Sequence, residues 1–103
     1  MTETLVTRDQ ERGVVCPGGD VVASSIPELR ALMRGLISEG VREMVIDFSN
    51  VQMLDSRGIG LLISAHNSLR AVGGSLSVTG VCQEIDSLLR TMRLHRHFAV
   101  TAG

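Results

Sequence analysis

Tryptophan and tyrosine are absent, and Phe48 and Phe98 are the only aromatic residues apart from histidine in 103 residues. A nucleic-acid surface would have no aromatic platforms for stacking bases, and the core must be aliphatic. No block of Lys or Arg occurs and the formal net charge is -1. Phosphate backbones are bound by basic surfaces, so a nucleic-acid partner is not expected. No apolar run approaches the roughly 20 residues that span a bilayer. The opening Met1-Thr2-Glu3-Thr4 lacks the basic segment and apolar stretch of a secretory leader. The expectation is a cytoplasmic protein with no membrane attachment. Cysteine is also scarce. Cys16 and Cys82 lie far apart and outside any metal or redox spacing, so both are read as reduced, partly buried thiols.

The length fits one domain, with enough chain to bury a core without staples. Leu5-Val6-Thr7 and Gly13-Val14-Val15-Cys16 are short β-prone runs flanking the polar stretch 8–12, which suggests a hairpin with an edge strand. Pro17 suggests that the second strand ends there or lies at an edge, and Gly18-Gly19-Asp20 reads as a turn. Ser25 followed by Glu28 reads as a capping box, with Pro27 tolerated in the first turn. Ile26, Leu29, Leu32, Met33, Leu36 and Ile37 then recur at helical spacing, up to a stop at Glu39-Gly40. The continuous apolar run Met44-Val45-Ile46 suits a central strand between Val41 and Phe48. A second helix is predicted over 57–72, with Leu62, Ala65, Leu69 and Val72 on one stripe, ended by Gly73-Gly74. Leu76 and Val78 alternate in a strand. Gln83 to Arg90 reads as a short helix, and Phe98-Ala99-Val100 as a last strand. This alternation predicts one α/β domain with right-handed crossovers, a mixed β-sheet with parallel central strands, and three or four helices.

The chemistry concentrates in Asp55-Ser56-Arg57-Gly58-Ile59-Gly60, between the strand ending near Phe48 and the second long helix. In open α/β sheets such strand-to-helix loops form binding sites. Asp55 or Ser56 can cap the helix. A phosphoserine there would add about 1.5–2 negative charges at an end that favours anions. Gly58 and Gly60 each cost a helix about 1 kcal/mol against Ala. One reason for them is close approach of another backbone, from the fold or from a partner; the alternative is that one packs against the sheet and the other is incidental. Arg57, Gly60, Ser64 and Asn67 mark a small, polar helix face, either solvated or a flat docking strip beside Ser56.

At this segment the chain resembles the STAS family, found in bacterial anti-sigma factor antagonists and in the cytosolic tails of some anion transporters. Val45-Ile46-Asp47-Phe48 leads into Asp55-Ser56, then Arg57, Gly58, an aliphatic Ile59 and Gly60. Gly73-Gly74-Ser75-Leu76 matches the family's glycine pair, and Leu88-Leu89 with Leu94 its late helix and turn. The resemblance implies a STAS-like domain over residues 1–103. It also implies a regulator whose serine after Asp, here Ser56, is phosphorylated by an anti-sigma factor that is itself a serine kinase of the GHKL type. A phosphatase would reverse the step. Asp55, Arg57, Gly58, Gly60, Ser64 and Asn67 would contact the partner. Two positions depart from the pattern: Arg57 stands where the family usually has a small residue, and Val22 where it often has Asp. Arg57 could pair with a phosphate or an acidic partner, or clash with the usual one. The alternative within the family is a structural subunit of a signalling complex or ABC transporter that is never phosphorylated. Oligomeric state is not legible.

Enzymatic readings are weaker. Ser56 lacks the Gly-x-Ser-x-Gly elbow and a histidine relay. Gly58-x-Gly60 lacks the third glycine and the lysine of a phosphate loop. Asp47 and Asp55, as imagined paired acids, more simply end a strand and begin a helix. His95 and His97 supply two ligands where zinc takes four. No enzyme activity, metal or other cofactor is expected.

Overall fold

The computed structural model describes residues 3–103; Met1 and Thr2, part of the stretch read for a leader, lie outside them. Strands β1 (Leu5–Asp9) and β2 (Arg12–Cys16) form the expected hairpin, antiparallel and closed by Gln10-Glu11 between paired Asp9 and Arg12. The strands run through the polar stretch that the sequence suggested as a connector. β1 is exposed along its whole length, so pairing with β2, not burial, holds it. The turn carries no Gly or Asn signal; Gln10 takes φ +54° itself.

Helix α1 spans Ile26–Ser38 and buries Ile26, Leu29, Met33 and Leu36. The capping box does not form. Ser25 sits at φ -96°, ψ -10°, and its hydroxyl faces back along the chain. It accepts from the Val22 N–H at 3.2 Å and donates to the Asp20 carbonyl at 2.9 Å. Ser25 therefore tightens the turn before the helix. Gly40, at φ +107°, ends α1 in the left-handed region as glycine permits.

β3 (Glu43–Asp47), α2 (Ser56–Ala71), β4 (Ser75–Val81), α3 (Gln83–Thr91), a 3-10 turn at Leu94–Arg96 and β5 (Ala99–Ala102) complete the chain. The sheet order is β1-β2-β3-β4-β5, parallel except for the first pair. Because each crossover moves one strand in the same direction, right-handedness sets all three helices on one face. On that face Val15, Ile46 and Val78 stand in register across three strands, and all are buried in the common core. Val72 departs from the predicted stripe: it is the residue capping α2, beyond the last turn, and 44% exposed.

Candidate functional site

The β3–α2 connector is held by the loop that follows β2. Val21 and Leu54 form an isolated parallel bridge; Val21 N–H donates to the Met53 carbonyl at 3.0 Å, and Asp55 N–H donates to the Val21 carbonyl at 3.3 Å. Asp20 Oδ1 accepts from both Gln52 N–H, at 3.0 Å, and Met53 N–H, at 3.1 Å. Asp55 joins the same two segments. Its Oδ1 caps α2 by accepting from Gly58 N–H at 2.9 Å, and its Oδ2 accepts from Ala23 N–H at 2.9 Å. Two carboxylates thus tie residues 20–23 to 52–58 across more than thirty positions of sequence.

The Gly58 N–H is the main cause that lowers the Asp55 pKa, with the Ala23 and Arg57 N–H groups and the Arg57 charge adding to it, against a smaller opposing effect of burial. A carboxyl whose folded pKa is lowered contributes stability above its ordinary pKa and loses it as the pH falls through the folded value. Asp55→Ala is therefore expected to melt roughly 4–8 °C below wild type at pH 7, the usual worth of such a cap in a domain this size. The gap should close once the pH drops below the ordinary carboxylate range. Circular dichroism melts across pH check both; a gap constant down to strong acid would contradict the clamp.

Ser56 is the first residue of α2 and is exposed, and its hydroxyl makes no hydrogen bond among the described residues. Arg57 beside it is exposed too. The two glycines separate cleanly. Gly58 is buried, and a Cβ there would collide with the Val21 carbonyl oxygen and lie 2.5 Å from Leu54 Cδ1. At Gly60 a Cβ would meet nothing within 4 Å. Asn67 is exposed and Ser64 half-buried. At about 100° per residue, the stripe in line with Ser56 is Gly60, Ile63, Asn67 and Arg70, with Ser64 to its side. Ile63 is 38% exposed, and Met53, just before the site, 59%. Neither was marked by the sequence reading. Ile63 falls seven residues after Ser56, a spacing visible in the sequence but masked by the run Leu61-Leu62-Ile63.

The remaining candidates sit apart. Asp47 Oδ1 is taken up by Ser49, whose N–H donates to it at 2.9 Å and whose hydroxyl donates at 2.5 Å, while Asp55 serves α2. Cys16 and Cys82 are half-buried free thiols. Burial, with the Asp47 charge adding to it, pushes the Cys16 thiol pKa up, which disfavours the thiolate. Val22 is half-buried in the turn that Ser25 closes. No helix among the described residues is long and apolar enough to cross a membrane.

A family model described as "Mlab, STAS domain" matches residues 4–101. The chain belongs to the STAS domain family. An anti-sigma-B factor antagonist of Staphylococcus aureus (strain NCTC 8325 / PS 47) is 27% identical over 86 residues, which cover 84% of this chain and 80% of that protein. Among solved structures, a candidate anti-sigma factor antagonist from Thermotoga maritima superposes with a TM-score of 0.90 at 13% identity, covering 97% of this chain and 86% of that one. The Bacillus cell fate determinant SpoIIAA in its phosphorylated form gives 0.77 at 17% identity, with coverage of 94% and 89%. Likeness at such identities carries the mixed-sheet STAS fold and no more.

Proposed function

We propose that this STAS domain is a cytoplasmic anti-sigma factor antagonist, a binding module and not an enzyme, switched by phosphorylation of Ser56. The observation that carries the proposal is an exposed, unengaged Ser56 hydroxyl at the first position of α2, next to a clamped Asp55. The staphylococcal relative supports the antagonist role by name. The partner is an anti-sigma factor that is also a serine kinase of the GHKL type, and a phosphatase returns the domain to its binding form. The docking surface runs from Asp55 and Ser56 over Arg57 and Gly60 to Asn67, with Ser64 at its edge and exposed Met53 supplying an apolar contact. Gly58, expected from the sequence to be a partner contact, is buried beneath it against Val21. Arg57 lies where it can partly neutralise the phosphate.

Incubation with the cognate kinase and ATP, followed by mass spectrometry, should place a single phosphate on Ser56 and none on Ser56→Ala. Phosphate elsewhere, or none, would favour the constitutive structural subunit of a signalling complex or transporter.

Gly60→Leu tests the docking surface. The side chain enters open space, and leaving glycine in a helix contributes up to about 1 kcal/mol. The variant should melt at or above the wild-type temperature yet bind the partner at least about tenfold more weakly, a loss of roughly 1.4 kcal/mol. Unchanged affinity in a folded variant would move the interface off α2.

A further inference from the structure

Past Asn67 the exposed stripe of α2 opens into a groove of about 240 Å³. Leu94 and Phe98, both buried, form its floor, and Ile63 its rim. The other walls carry His66 and Arg70 from α2 and His97 from the end of the 3-10 turn. The His66 ring lies 5.9 Å from the His97 ring and 5.8 Å from Phe98, centroid to centroid. One guanidinium and two imidazoles, all able to donate hydrogen bonds to an anion, therefore surround an apolar floor, and the lining holds no carboxylate. Among the described residues Arg70 makes no ion pair. The sequence from Ser56 onward shares the positive sign of Arg70. After Asp55 the only acidic residues are Glu84 and Asp86, against Arg57, Arg70, Arg90, Arg93 and Arg96, and Asp86 is already paired with Arg90.

We infer that this groove receives an apolar side chain flanked by carboxylates, presented by the partner protein that docks on α2. The floor supplies the apolar contact, and the unpaired Arg70 guanidinium, with the imidazole N–H donors of His66 and His97 beside it, selects a carboxylate-bearing sequence around it. The inference rests on the reading of α2 as the docking face, and continuity supports it. Ile63 lies about 10 Å from Ser56 along the helix and Arg70 about 21 Å, at 1.5 Å per residue. An interface of ordinary size covers about 800 Å² on each partner, a patch about 30 Å across. A partner centred near Ile63 covers Ser56 at one end and Arg70 at the other, each about 10 Å from the centre, without a second contact surface. Phosphorylation at Ser56 then controls one end of the interface, and the groove sets partner identity at the other.

The test needs neither the kinase nor the anti-sigma factor. The isotopically labelled full chain is titrated by NMR with the peptide acetyl-Glu-Glu-Leu-Glu-Glu-amide. Two controls replace every Glu by Lys, or Leu by Ala. The acidic Leu peptide should saturably shift Ile63, Asn67, Arg70, His97 and Phe98, and both controls should bind at least about tenfold more weakly. Arg70→Glu should weaken the acidic peptide at least as much, while Arg34→Glu, the same charge change on α1 outside the groove lining, leaves its affinity unchanged. Equal binding of the Lys peptide, or shifts centred away from the groove, overturns the inference. Shifts at these residues on simple dilution would make a second copy of the chain the occupant and overturn it equally. Because Ser56 chemistry takes no part, a failure here leaves the phosphorylation switch standing, and a failure of the switch leaves this result readable.

Discussion

Ser56→Asp is expected to bind the anti-sigma partner roughly a hundredfold more weakly than wild type, a loss of about 3 kcal/mol, while Ser56→Ala binds normally and resists modification. The effect comes from charge placed on a surface that cannot move away from it. Asp55 is held at both oxygens by backbone N–H groups of Gly58 and Ala23. A second negative group at Ser56 therefore adds to a fixed one on the docking face. A partner with an acidic or apolar contact there meets repulsion or must desolvate the charge. Folding should not suffer, because an anion in the first turn of a helix gains about 0.3–1 kcal/mol from the helix dipole. Binding and stability are thus expected to move independently, which separates a switch from a damaged fold. Arg57 tempers the effect: adding Arg57→Ala to Ser56→Asp should weaken binding further, whereas Arg57→Ala alone tests whether the arginine serves the partner directly. Calorimetric titration of these variants against the partner decides the matter. Equal affinities for wild type, Ser56→Ala and Ser56→Asp would end the switch hypothesis.

What the sequence revealed divides along the range of the interactions involved. The strand–helix alternation was legible because period-2 and period-3.6 patterns are written locally; the strand order was not, since handedness sets the face on which a crossover helix lies and leaves open which strands are neighbours. The start of α2 was legible for the same reason, since a cap acts within three residues. Ser25 and Glu28 show the limit of that logic. The spacing suits a capping box, but the competing turn from Asp20 claims the serine hydroxyl first. The stitching of Asp20 to Gln52 and Met53, and of Asp55 to Ala23, joins segments with no sequence proximity. Only the parallel meeting of Val21 and Leu54 makes those carboxylates neighbours of the same helix end. The cationic groove was hidden for a similar reason: His97 and Phe98 reach His66 only once α3 and the 3-10 turn have folded back.

The two glycines of α2 should respond in opposite senses to one substitution. Gly60→Ala enters open space, removes backbone freedom from the unfolded chain and is expected to stabilise by about 0.5–1 kcal/mol. Gly58→Ala gains the same helix propensity but sets a methyl group against the Val21 carbonyl oxygen and Leu54 Cδ1. Neither neighbour gives way cheaply. The Val21 carbonyl accepts the Asp55 N–H, and Leu54 is buried in the core and bridged to Val21. Relief requires α2 to lift off the 20–23 loop, which stretches the hydrogen bonds that Asp55 makes to both. Overpacking of this kind costs about 1–3 kcal/mol net, or roughly 5–20 °C of melting temperature in a domain of this length. The same lift displaces Ser56, so Gly58→Ala should also be a poorer kinase substrate, whereas Gly60→Ala should be modified normally. With no tryptophan or tyrosine in the chain, the melts are followed by far-UV circular dichroism. A Gly58→Ala variant as stable as Gly60→Ala would show that the helix start does not rest on Val21, and that Gly58 is there for the partner after all.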